Sequence, residues 1–301
     1  MAGLSRLMIV VLCCAVQAGA AGRMVPPHAG TPSVAAQMYV WLQYNQEHGQ
    51  RLEDHLDEAF AATERAGFSA VQGWLSWFAT SEQATVTTTA LAAHHLRLVA
   101  AYADGPLHDG GADAAIARIL ERATRAREHG VVTIVMNPDV RRDGAEKTDD
   151  ELAVQARNLD RLGTALQEMG LSLAVHAHDK EMRSGAREWY YNLRHTDGAK
   201  VGICLDVHWL YRGGQDPLPM LRAAGGRIRD VHLRNSRDGV WQEDLGPGDL
   251  DYGVIARALR DAQFSGTFTV ELAYEPRTVR SRSIEEDLRR SRAFVRRTFG
   301  I

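Results

Sequence analysis

The stretch "LSLAVHAHDKEM", Leu171 to Met182, runs from an apolar segment into an abrupt polar end. Leu171 to Val175 is largely apolar at both odd and even positions, as a strand buried on both faces requires. His176 and His178 follow, two residues apart and therefore on one side of an extended chain, and Glu181 comes next. Upstream, "LDRLGTALQEMG" reads as an amphipathic helix stopped by Gly170, and downstream "GAREWYYNLRH" reads as another helix. The unit is strand, polar end, helix.

The same unit repeats in both directions. "AAQMYVWLQ", "FSAVQGWL", "LVAAYADG" and "VVTIVMNP" read as strands before it, and "KVGICLDVHW", "IRDVHLRN" and "GTFTVELAY" as strands after it. Helical patterns separate them, from "QRLEDHLDEAFAATERAG" to the closing "SIEEDLRRSRAFVRRTF". Strict alternation calls for a parallel sheet. Eight such units between Val34 and Ile301 suit a single (β/α)8 TIM barrel; a doubly wound open sheet is the alternative.

The N-terminus departs from this pattern. Arg6, the apolar "LMIVVLCCAV" and the small residues of "QAGAAG" read as a cleavable signal peptide over residues 1–20 rather than a membrane anchor. Residues 21–33, with "MVPPHAGTPS", read as a flexible linker, and residues 34–301 as the barrel. An exported, periplasmic or extracellular, protein is expected. Only Cys204 lies beyond that leader, so no internal disulfide is expected to staple the fold. The formal net charge of -3 offers no basic field for nucleic acid, and nothing downstream has the apolar length of a membrane span.

A TIM barrel carries its chemistry at the C-terminal ends of its strands. The first four strands end in Gln43, Gln72, Asp104 and Asn137. The last four are richer: His176 and His178, Asp206 and His208, His232, and Glu271. One histidine near a strand end is ordinarily a structural hydrogen bonder. Asp206 and Glu271, inside apolar strands, are costly to bury without compensation. Four such residues on successive strands point to a shared ion, with Asp206, His232 and Glu271 as ligands and His176 taken for the strand-five place, where His178 and Glu181 are the alternatives. Imidazole with carboxylate suits Mn, Co, Zn or Fe better than Mg or Ca. Such an ion could polarise a sugar carbonyl or hydroxyl and stabilise an enediolate.

These residues resemble the sugar phosphate isomerase/epimerase family, the xylose isomerase-like TIM barrels. "LDVHWLYRGGQDP", "IRDVHLRN", "LGPGDLDYGVIARAL", "GTFTVELAYEP" and "VHAHDKEM" resemble its strand-five to strand-eight segments in order and spacing. The resemblance implies a metal held from those four strands, with Asp206, His232 and Glu271 matching three of the ligand positions. It also implies a pair of glutamates, from strands five and eight, acting as acid and base. Here His176 stands at the strand-five position, Gln72 where strand two often ends in Glu, and Asn235 where strand seven often has Asp.

The expected function is an exported, metal-dependent sugar isomerase or epimerase acting on a small carbohydrate or polyol. The catalytic candidates are Glu271, His176 and Glu181. The substrate-binding candidates are His178, His208, Trp209, Arg234 and Trp241, the indoles as stacking surfaces for a sugar ring or as core. A lyase or dehydratase cleaving keto-sugars or 3-keto-glycosides by beta-elimination is the alternative within enzymes. A non-catalytic carbohydrate-binding barrel is the alternative outside them. No oligomeric state is implied.

Overall fold

A computed structural model describes residues 32–301. The expected signal peptide and nearly all of the expected linker lie outside the described residues. The strands are β1 (Ser33–Gln37), β2 (Ala70–Trp74), β3 (Arg97–Gly105), β4 (Thr133–Pro138), β5 (Ser172–Val175), β6 (Val201–Asp206), β7 (Ile228–Leu233), β8 (Ser236–Arg237), β9 (Val240–Trp241) and β10 (Thr267–Val270). The helices are α1 (Tyr39–Glu47), α2 (Leu56–Arg65), α3 (Ser81–Ala93), α4 (Ala112–Glu128), α5 (Asp149–Glu168), α6 (Arg183–His195), α7 (Val207–Arg212), α8 (Pro217–Ala224), α9 (Tyr252–Asp261) and α10 (Ile284–Phe299).

Eight parallel strands close into a barrel in the order β1-β10-β7-β6-β5-β4-β3-β2, and β8 and β9 form a separate antiparallel hairpin. The expected (β/α)8 barrel is borne out, and β1 begins at Ser33, one residue ahead of the start read from the sequence. Along each strand, alternate residues face the surrounding helices. Leu173, Val175, Leu205, Val231 and Val270 belong to the large apolar layers there. Residues between them point to the axis, where Ala35, Ala70 and Val99 pack at one level and Ala100, Val135, Ala174 and Cys204 at the next. Small side chains suit that narrow space.

Local signals set the helix ends. Thr148 and Glu151 form a reciprocal capping box on α5. Ser283 caps α10, and Gly300 closes it in the left-handed region at φ 78°. At α6 the chain first passes through Ser184, Gly185 and Ala186 with positive φ, and is regular only after them.

Several strands end earlier than the sequence reading has them: β5 stops at Val175 and β10 at Val270, so His176, His178 and Glu271 lie just past their strands, and β7 stops at Leu233. β1 stops at Gln37, and the segment read as its continuation is α1, so Gln43 is not a strand end. Gln43 instead brackets Tyr274, donating to its carbonyl at 2.6 Å and accepting from its amide at 2.8 Å. β6 stops at Asp206, so His208 and Trp209 lie on α7. Asp104, read as the functional end of β3, is exposed, and its carbonyl accepts from Arg118.

Candidate metal and substrate site

The site follows from register. β6 pairs with β7 so that Asp206 lies beside His232, and β7 pairs with β10 so that His232 lies beside Thr269. Period-two alternation then puts Glu271 on the same inward face, one level above Thr269. β5, the other neighbour of β6, delivers His176 just past its last residue. One ligand atom from each of His176, Asp206, His232 and Glu271 lies within 4.8 Å of all the others, and all four are buried.

His176 Nε2 is 3.4 Å from Asp206 Oδ2, His232 Nδ1 is 3.8 Å from the same oxygen, and His232 Nδ1 is 2.6 Å from Glu271 Oε2. The other Asp206 oxygen accepts the Trp209 amide at 2.8 Å, so α7 both follows from Asp206 and orients it. His176 Nδ1 faces Asn137 Oδ1 at 3.3 Å and Tyr102 Oη at 3.5 Å.

Charge makes the case for a cation. Asp206, Asp230 and Glu271 are three buried carboxylates, and Arg234 is the buried guanidinium beside them. With neutral imidazoles the group carries two uncompensated negative charges, which a divalent ion would cancel. Burial works to raise the pKa of Glu271, but Arg234 and then His232 outweigh it and hold the carboxyl below its usual range. Asp206 behaves likewise, with burial overcome chiefly by His176. Burial opposes a charge on His232, yet the Cys204, Asp230 and Glu271 side chains around it lift its pKa well above the ordinary value. A proton on His232 thus supplies positive charge that a metal ion would supply in its place. The donor set fits a divalent transition ion.

The other expected residues divide. His178 lies against the cluster, its ring 4.7 Å from that of His176 and 5.1 Å from Trp209. Burial, then the neighbouring His176, pushes its pKa down to about 3, so it is a neutral hydrogen-bonding group. Arg234 is stacked 4.2 Å from the Trp241 ring and 5.2 Å from Trp209, with Nη1 3.5 Å from Glu271 Oε1. Its Nε and Nη2 find no protein partner, which leaves donors for a ligand oxygen.

Two candidates stand apart from the four. Glu181 accepts the His178 amide at 2.7 Å and is outside the ligand cluster. Burial, then Glu188, raises its pKa. His208, also outside the cluster, is fully buried and faces Ser236 Oγ at 3.1 Å.

Sequence reasoning missed Tyr102 and Asp230. The signal for Asp230 was available, because it sits two residues before His232 and must share its face. The Asn235 departure also acquires a reason. Its amide nitrogen donates to the carbonyls of Gly246 and Leu250 at 2.9 and 3.1 Å, and its oxygen accepts the amides of Ser236 and Leu250 at 3.0 and 3.1 Å. An aspartate cannot make the first two bonds. The Gly246-Pro247-Gly248-Asp249 segment within "LGPGDLDYGVIARAL" serves the same loop. A Cβ on Gly248 would lie 2.1 Å from the Ser236 carbonyl, and Asp249 receives Ser236 Oγ and the amides of Asp238 and Gly239.

Residues 60–298 match the family described as xylose isomerase-like TIM barrel, and the chain belongs to that family. It is 26% identical over 147 residues to an inosose dehydratase of Lacticaseibacillus casei, a match covering 43% of this chain and 49% of that protein. The chain thus spans about half the length of that curated relative. Its structure resembles a sugar phosphate isomerase/epimerase of Parabacteroides distasonis, with TM-score 0.66 and 18% identity over 91% of this chain and 97% of that one. It also resembles a D-allulose 3-epimerase of Methylomonas sp., with TM-score 0.70 and 16% identity over 89% and 98%. At these identities the structural likeness speaks for the fold.

Proposed function

We propose that this chain is a divalent-metal-dependent enzyme that removes a proton next to a carbonyl of a carbohydrate or polyol, as sugar isomerases and epimerases do. The observation that carries the reading is the buried His176, Asp206, His232 and Glu271 cluster at the C-terminal mouth of the barrel. Two imidazoles and two carboxylates favour Mn, Co, Zn or Fe over Mg. A bound ion of this kind supplies Lewis-acid polarisation of sugar oxygens. Glu271, held ionised by Arg234 and His232, is the leading base, and His176 is the other candidate. The free donors of Arg234 bind substrate oxygens, neutral His178 hydrogen-bonds a hydroxyl, and Trp209 and Trp241 wall the site with aromatic faces. Glu181, tied to the His178 amide, supports the β5 loop.

The composition of residues 1–20 supports export, and export favours a free sugar, keto-sugar or glycoside over a phosphorylated one. Detection of the protein only in the cytosol, with residues 1–20 retained, would refute that part.

A second reading, a lyase or dehydratase, is favoured by one specific observation. With His176 in the strand-five position and Glu181 outside the cluster, no second glutamate joins Glu271 in the cluster among the described residues. Removing a proton and expelling a beta substituent needs no such opposed pair, and an inosose dehydratase is among the relatives. Incubation of the metal-loaded protein with keto-sugars and 3-keto-glycosides in deuterium oxide separates the readings. Isomer formation with deuterium incorporation supports the first, and release of water or aglycone supports the second. Binding without exchange across the panel would refute both and leave a carbohydrate-binding barrel.

A further inference from the structure

Directly beneath the proposed ion lies a group that neither the metal nor the substrate touches in the reading above. Asp230 is inward-facing on β7 and buried at 1% exposure. Both of its oxygens are engaged from other strands: Gln72 of β2 donates to Oδ2 at 2.9 Å, and Thr269 of β10 donates to Oδ1 at 2.8 Å. Neither donor is cationic. Among the described residues no lysine or arginine pairs with it, and the cationisable group facing it is His232, whose Nε2 lies 3.7 Å from Oδ2.

His232 is held between two carboxylates. Nδ1 faces Glu271 and Nε2 faces Asp230. Nε2 has no hydrogen-bond partner within ordinary length, though it is fully buried. A histidine that gives Nδ1 to an ion must carry its proton on Nε2, and that proton then needs an acceptor. Asp230 Oδ2 is a carboxylate acceptor within reach, and closing the gap takes a shift of less than an ångström. An ion seated between Nδ1 and Glu271 requires the ring to give ground on the Glu271 side, because 2.6 Å is too short for two ligands of one ion.

We infer that Asp230, clamped by Gln72 and Thr269, is the positioning residue for His232: it selects the Nε2-protonated tautomer, aims Nδ1 at the ion and raises the affinity of the site for a divalent metal. This rests on the metal reading above. Three strands, β2, β7 and β10, thereby join in orienting one ligand. The barrel needs a polar Gln-Asp-Thr level below its mouth for this purpose, where Ala100, Val135, Ala174 and Cys204 make the rest of that level apolar.

The test is titration of Co2+ into the chelator-treated full-length protein, by calorimetry and by the visible absorption of the bound ion. Wild type binding about one Co2+ while Asp230→Asn binds about 10- to 100-fold more weakly, with an altered Co2+ spectrum, is the expected result. Thr269→Val, which removes one clamp and keeps the carboxylate, is expected to weaken binding several-fold. A folded Asp230→Asn protein with wild-type affinity and spectrum overturns the inference, even if its melting temperature changes. If Asp230→Asn does not fold, Thr269→Val decides, and unchanged affinity overturns the inference. Wild type that binds no Co2+ overturns the metal reading itself, and this inference with it.

Discussion

Replacing Asn235 with Asp changes one atom and should loosen the loop that carries the substrate side of the site. Asn235 is fully buried, and its amide nitrogen supplies two hydrogen bonds, to the Gly246 and Leu250 carbonyls. Aspartate loses both, at roughly 1 kcal/mol each, and turns an anionic oxygen towards two carbonyl oxygens in a dry setting. The expected destabilisation is about 3 kcal/mol at neutral pH. It has a pH signature. The buried carboxyl of the variant would titrate above its unfolded value, so the loss is full above that folded pKa and shrinks as pH falls towards about 4, where the protonated acid recovers one donor. Urea unfolding of the metal-free wild type and variant between pH 7 and pH 4.5 measures this. Equal midpoints at pH 7, or a deficit that grows on acidification, would refute the reasoning. The consequence for function follows from position. Arg234 precedes Asn235, and the β8–β9 hairpin behind it carries Trp241 over the guanidinium.

Three further outcomes are expected. A divalent transition ion at 100 times its dissociation constant should stabilise the wild type by about 2.7 kcal/mol, and Asp206→Ala and His232→Ala should fold yet lose that gain; an unmoved wild-type unfolding midpoint would sink the ion site. Glu271→Gln should slow deuterium exchange into substrate by about 100-fold or more, whereas Glu181→Gln should leave exchange within a few-fold and the metal in place; the reverse pattern would make Glu181 the acid-base group. Burial raises the pKa of Asp287 to about 6 despite Arg282 Nε at 2.8 Å, so the folded state holds its proton more tightly than the unfolded one. Stability from this group is therefore greatest below the unfolded carboxylate pKa and is lost as pH rises through about 6, and Asp287→Asn should flatten that slope by on the order of 1–2 kcal/mol after allowance for solvent screening, as read from unfolding midpoints against pH.

Much of this protein is legible in one dimension, because its signals are local. The both-faces-apolar strands, the glycine stops and the capping residues depend on neighbours within a turn or two, and they suffice for eight strand-helix units and a barrel. The errors fall where a local signal is silent. "AAQMYVWLQ" is apolar enough to be one long strand, and only closure of the barrel against β2 and β10 ends β1 at Gln37 and turns the rest into α1. "CLDVHW" likewise hides the point at which Asp206 ends the strand and caps a helix, which sends His208 away from the cluster.

The sequence by itself determined which residues could form a site. Polar residues at the ends of four successive parallel strands must converge on one mouth, since parallel strands all present the same end and period two fixes the face. Only the tertiary structure decided which of them meet. Glu181 lies five residues from His176, yet the chain turns it back onto the His178 amide. Asp230, Gln72 and Thr269 are far apart along the chain, yet closure of the barrel brings Gln72 and Thr269 onto Asp230 next to His232. Contacts within a strand follow from its period. Contacts between strands follow from stagger, closure and the burial of charge, and a linear pattern carries none of these.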